Sequence, residues 1–194
     1  MLRILHIEEI EGLLLLLPDL VRQQEQRASA FVRNAAAWLN SLEKAFAANR
    51  LYHAGSVAVL RSGLVAAEQG QVPKQLEFRG LPSRPRLLNA VASRAVQQAA
   101  DVASTLIAEN RPRLVEAERV AQQIIAVVMS RGLDTVRDAT VSNTEYLRTV
   151  RRSLAASGDL ESAAAHLEGL VGPQDALILF DRALAIHRDA AALG

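Results

Sequence analysis

From Ala28 the apolar positions run Ala28, Phe31, Ala35, Trp38, Leu42, Ala45. The steps alternate between three and four, as one face of a helix requires. Val32, Leu39 and Phe46 widen this stripe, while Arg27, Asn34, Ser41 and Lys44 fall elsewhere. The pattern predicts one helix from about Asp19 to Asn49. A second helix is predicted from about His53 to Gln69, with Val57, Leu60, Leu64 and Ala67 as its stripe. Gly55 and Gly63 weaken it, and Gly70 ends it, because a helix C-terminus favours a residue free to adopt positive φ.

The stretch GQVPKQLEFRGLPS, Gly70–Ser83, carries Pro73, Gly80 and Pro82. It cannot be a continuous helix, and it is expected to be one long irregular connection. Beyond it the period returns. Leu88, Ala92, Ala95, Ala99, Val102 and Leu106 form one face, and Leu114, Ala117, Ala121, Ile124 and Val128 form another. Ile124–Met129 is apolar on every side and predicts a central position. Gly132–Asn143 is the next break. Ser142 and Glu145 are spaced as a capping box, in which each side chain binds the other's backbone N–H. Leu147, Val150 and Leu154 mark the helix that follows. Leu160, Ala163, Leu167 and Leu170 mark another, and a last helix runs from about Pro173 to Ala192, with a broad apolar arc that includes Leu177, Phe180, Leu184 and Ile186.

These periods predict an all-α fold, an up-and-down antiparallel helical bundle of about six or seven helices, with the irregular connection at 70–83. Residues 1–194 are expected to form a single helical domain. The scarcity of aromatic residues and the abundance of alanine also point away from β-structure.

One phrase does not reduce to period. The chain reads SRPRLLNA at Ser83–Ala90 and NRPRLVEA at Asn110–Ala117. Serine and asparagine are good N-caps, and proline is tolerated in a first turn, so each copy is expected to open a helix. No third copy follows near Asp138, which excludes a repeat array. Arginine at a helix start opposes the dipole by about 0.3–1 kcal/mol. Arg84, Arg86, Arg111 and Arg113 therefore need an offsetting partner: acidic side chains from a neighbouring helix end, or a bound anion such as phosphate or carboxylate. Arg79 belongs with Arg84 and Arg86 as the better cluster. A helix of about 25 residues, ~37 Å long, would hold the two copies apart, so only an antiparallel dimer would bring all four arginines together.

Composition narrows the chemistry. The sequence holds no cysteine, which removes disulfides, thiolate metal sites and cysteine nucleophiles. The net charge is +1, so no global field draws the protein to nucleic acid or acidic membranes. Lys44 and Lys74 are the only lysines; the basic side chains are otherwise arginine, suited to bidentate contacts. The opening segment contains five consecutive leucines, Leu13–Leu17, flanked by Glu8, Glu9, Glu11 and Pro18. That is too short for a spanning helix, which needs about 20 apolar residues, and it lacks the basic start and cleavage site of a signal peptide. Residues 1–18 are expected to be a packing or oligomerisation segment, and the protein to be cytoplasmic.

A search for catalytic patterns yields none. Arg3, Arg50, Ala163 and Leu184 stand three residues before the four histidines, so the Glu-x-x-His pairs of di-iron bundles are absent. No His-Glu-x-x-His, Walker loop, Gly-x-Gly-x-x-Gly or Gly-x-Ser-x-Gly occurs. Arg148, Arg151 and Arg152 share a helix face and read as its wet side. The expectation is a non-enzymatic helical interaction or scaffold protein, assembling as a homodimer, with no cofactor and no metal. The alternatives are a phosphate-ligand or nucleic-acid-binding module built on the arginines above, and an enzyme whose inter-helix site has no sequence signature.

Overall fold

The computed structural model describes residues 2–71, 82–131, 143–155 and 158–192. These residues form eight helices and no strand: α1 (Ile4–Leu14), α2 (Leu17–Glu25), α3 (Phe31–Ala48), α4 (His53–Glu68), α5 (Arg84–Ser130), α6 (Asn143–Ala155), α7 (Gly158–Val171) and α8 (Pro173–Ala192). The fold is an all-α bundle of helices packed against one another. It divides into two compact units: one holds Leu2 and Ile4–Glu109, the other holds Met1, Arg3 and Asn110–Gly194. Most of the connection expected at 70–83 and the capping serine Ser142 lie outside the described residues.

In the first unit, α3 is the central element and contacts α1, α2 and α4. Its stripe is as the period requires: Phe31, Ala35, Trp38, Leu39, Leu42, Ala45 and Phe46 are buried. The indole Nε1 of Trp38 donates to the carbonyl oxygen of Leu13 at 2.8 Å, tying the end of α1 to α3. Helices α3 and α4 form an antiparallel hairpin. Their connection is short, and the Arg61 guanidinium meets the Glu43 carboxylate across it, Nε to Oε2 2.6 Å. Val57, Leu64 and Ala67 face inward from α4.

The helix expected from Asp19 to Asn49 is broken. Arg27 adopts φ 52°. The Arg27 N–H donates to Gln24 O at 3.0 Å and the Ala28 N–H to Gln23 O at 2.9 Å. This paired pattern is a Schellman motif, which closes a helix when one residue turns left-handed. The same motif ends α3 at Arg50 (φ 54°) and α4 at Gly70 (φ 86°). Glycine is the usual occupant, since a Cβ in that region costs roughly 1–2 kcal/mol. With arginine at 27, nothing in the sequence announces the break.

The second correction concerns the doubled phrase. Leu87 N–H donates to Ser83 O at 2.9 Å, so Ser83 is the N-cap of α5 and Pro85 sits in its first turn. The second copy opens nothing: Pro112 lies inside α5. Asn110 does not cap a helix; its side-chain oxygen accepts from Arg113 Nη2 at 3.0 Å. The division between the two units falls at Glu109 and Asn110, beside this proline.

The second unit combines the later part of α5 with α6, α7 and α8. Ala117, Val120, Ala121, Ile124, Ile125 and Val128 are buried on α5. Ala126 is exposed, so the run Ile124–Met129 presents a face and is not enclosed on all sides. Leu147, Val150 and Leu154 on α6, Leu160 and Leu167 on α7, and Phe180, Ala183 and Leu184 on α8 complete the core. Asp175, in the first turn of α8, is 2% exposed, and its Oδ1 accepts from Arg3 Nε at 3.3 Å.

Candidate functional site

The most developed site lies in the first unit, where the end of α2 meets the start of α5. Gln24 Nε2 donates to Ser93 Oγ at 2.7 Å and fixes the two helices at that level. Below and around this bond is a cleft of about 1040 Å³. Its α5 wall is Pro85, Arg86, Asn89, Ala90, Ser93, Arg94, Gln97 and Gln98, with Ser83 at the lip. Gln24 and Arg27 form the α2 side. Recurrence at three and four residues along α5 explains the wall: Arg86, Asn89, Ser93 and Gln97 project from one stripe.

The charge of this lining is one-sided. Three arginines, Arg27, Arg86 and Arg94, line the cleft, and no described lining residue is acidic. The first turn of α5 holds no acidic residue either, so the helix's positive end adds to the same field. Among the described residues, neither Arg27 nor Arg86 has a carboxylate partner. Several amides are already engaged: Asn89 Nδ2 donates to Pro85 O at 2.9 Å, and Gln97 Nε2 to Asp101 Oδ1 at 3.0 Å. The cleft is thus a concave surface rich in hydrogen-bond donors and fixed positive charge, which suits an anion.

The structure separates the arginines singled out from sequence. Arg79 lies outside the described residues. Arg84 turns away from the cleft, and its Nη2 donates to Glu68 O at 3.0 Å. The partner offsetting this arginine at a helix start is therefore the negative end of α4. Of the two described members of the expected cluster, Arg86 lines the cleft and Arg84 does not. Arg111 and Arg113 lie inside α5 in the other unit. Sequence reasoning missed Arg94 and Arg27. Arg94 carried a signal, standing eight residues after Arg86 on the same helix. Arg27 carried none, because the apolar period placed it within a helix.

A second arginine group lies in the other unit. Arg148, Arg151 and Arg152 border a cleft of about 370 Å³ with Pro173, Gln174 and Leu177. Here the charge is partly compensated. Arg151 makes a two-pronged ion pair with Glu168, with Nη2 to Oε2 at 2.8 Å, and Arg152 Nη2 donates to Thr149 Oγ1 at 3.1 Å. The hydrogen bonds from Arg151 hold the Glu168 carboxyl below its ordinary range, against the opposing effect of burial. Other exposed pairs act in the same direction: Arg119 on Glu116 and Arg131 on Asp159.

Among the described residues, no group of three or more histidine, aspartate or glutamate side chains is placed to hold a metal ion. No described helix is long and apolar enough to cross a membrane. No family model, curated protein or solved structure matches the chain.

Proposed function

We propose that the protein is a non-enzymatic binding module whose cleft between α2 and α5 takes a phosphate-bearing ligand. The single observation that carries this reading is the lining itself: Arg27, Arg86 and Arg94 border one cleft, and no described lining residue is acidic. Guanidinium groups pair with phosphate through two parallel N–H···O bonds, each stronger than a neutral hydrogen bond. Among the described lining residues no nucleophile has a base beside it and no carboxylate pair occurs, and what they offer is recognition. Calorimetric titration at low salt with pyrophosphate, tripolyphosphate and a nucleoside triphosphate tests it. Binding is expected for at least one of these, weakened about tenfold by Arg86→Ala. Absence of binding by all phosphate compounds removes the reading.

Exposed apolar side chains favour a second reading, an interaction protein that assembles with copies of itself. Leu15 is 79% exposed and Leu16 50%, at the turn between α1 and α2, and Ile186 on α8 is 56% exposed. Apolar area of this kind is often covered by a partner. Light scattering across protein concentration decides it: a strict monomer at high concentration eliminates self-assembly.

A further inference from the structure

The arrangement of the three arginines says more than their charge. Arg86 and Arg94 are eight residues apart on α5, which separates their Cα atoms by about 12 Å along the axis and turns them about 80° around it. Arg27 faces them from the end of α2, next to the level fixed by the Gln24–Ser93 bond. The cations therefore mark out a track and do not form one fork. A single compact phosphate gathers part of this field. A chain carrying a charge on every unit gathers all of it.

The rest of the lining limits what kind of chain that is. No described lining residue is aromatic. Proteins that hold single-stranded nucleic acid rely on aromatic platforms, each worth a large part of the affinity. The described apolar lining is Pro85 and Ala90 alone. A peptide partner needs buried apolar or aromatic anchors in pockets, and two small side chains provide none. The described lining offers no carboxylate to hold a divalent cation, so the arginines themselves do the neutralising.

Resting on the phosphate-binding reading above, we infer that the ligand is a linear, base-free phosphate chain lying along α5, with Arg86 as one contact and Arg94 and Arg27, from the two sides of the cleft, as contacts further along. Arg27 belongs to this set although its backbone is strained. Arg50 has the same left-handed backbone and is not in this lining, so the strain does not mark the site; the position of the side chain in the lining does.

The test is a length series. Orthophosphate, tripolyphosphate and long-chain polyphosphate are titrated into the full chain at several salt concentrations. Affinity is expected to climb with length. Arg86→Ala and Arg94→Ala should each lower long-chain affinity about tenfold and reduce the salt slope by about one. Arg86→Lys keeps the fold and charge, and should retain the slope while losing part of the affinity. If orthophosphate binds as tightly as the long chain, the phosphate-binding reading stands and the chain inference falls. If oligothymidylate or polyglutamate of matched charge binds as tightly as polyphosphate, the inference falls in favour of nucleic acid or an acidic protein segment. If no phosphate compound binds at low salt, both fall.

Discussion

Arg84 Nη2 donates to the backbone carbonyl oxygen of Glu68 at 3.0 Å, so the first residue of α5 is bound to the last residue of α4. One guanidinium answers two problems. It satisfies a carbonyl that the end of α4 leaves without an intrahelical partner, and it places a cation at that helix's negative pole. Arg84→Ala removes both. Because the contact is exposed, the expected loss is about 0.5–1 kcal/mol, read as a lower midpoint in chemical denaturation. Phosphate affinity should be almost unchanged, in contrast to Arg86→Ala. Equal losses of affinity in the two variants would mean that Arg84 also reaches the cleft.

Arg27 and Arg50 make a matched pair for a backbone experiment. Each closes a Schellman motif with positive φ, at 52° and 54°. Glycine adopts that conformation without a Cβ penalty, so Arg27→Gly and Arg50→Gly are each expected to stabilise the fold by about 0.5–1 kcal/mol. Their functional consequences should differ. Arg27 lines the α2–α5 cleft, so Arg27→Gly should gain stability and lose phosphate affinity, while Arg50→Gly gains stability alone. Thermal melts with and without tripolyphosphate separate the two effects. A destabilised Arg50→Gly would show that the Arg50 side chain contributes more than its backbone strain costs.

How far these features were legible in the sequence follows from what period can and cannot encode. The buried faces of α3, α4 and α6 are those that spacing indicates, down to Phe31, Trp38, Val57 and Leu154. Apolar period reports which side of a helix is covered. It does not report where the backbone stops being helical if the stop is made by a residue such as Arg27. Nor does it separate a cap from an interior residue: Ser83 and Asn110 both look like caps, yet only Ser83 is followed by a helix start. The cleft was half legible for the same reason. Arg86 stood out in a repeated phrase, whereas Arg27 and Arg94 join it only once α2 and α5 are placed side by side.

Acid should weaken the second unit through Glu168. Its carboxyl lies below the ordinary glutamate range because Arg151 hydrogen-bonds it and attracts its charge. The unfolded chain therefore takes up the proton first. The stabilisation is present in full above the ordinary glutamate value and is lost as pH falls through the lower, folded value. Glu168→Gln removes this dependence. The variant should be slightly less stable than wild type at neutral pH, by less than about 1 kcal/mol for so exposed a pair, and the two denaturation curves should converge in acid. Asp159, held down by Arg131, acts in the same direction. A wild-type to Glu168→Gln difference that stays constant from neutral pH to strong acid would place the effect in packing and not in the ion pair.

The two prolines of the repeated phrase should respond oppositely to removal. Pro85 sits in the first turn of α5, where its missing N–H has no helical partner to lose and its fixed φ favours the start. Pro85→Ala should be neutral or mildly destabilising, because alanine frees the unfolded chain. Pro112 lies in the interior of the same helix. There it deprives Ala108 of the N–H that its carbonyl would normally accept, and its ring crowds that turn, a disadvantage of about 3 kcal/mol in a regular helix. Pro112→Ala restores the bond, and the expected gain is a fraction of that figure, about 1–2 kcal/mol, because the chain has adapted around the proline. Hydrogen exchange gives the local reading: amide protection should rise in the turn around residues 108–116 in Pro112→Ala and stay unchanged near residue 85. If Pro112→Ala is instead less stable than wild type, the proline ring contributes more, by its own contacts and by restraining the unfolded chain, than its missing N–H costs.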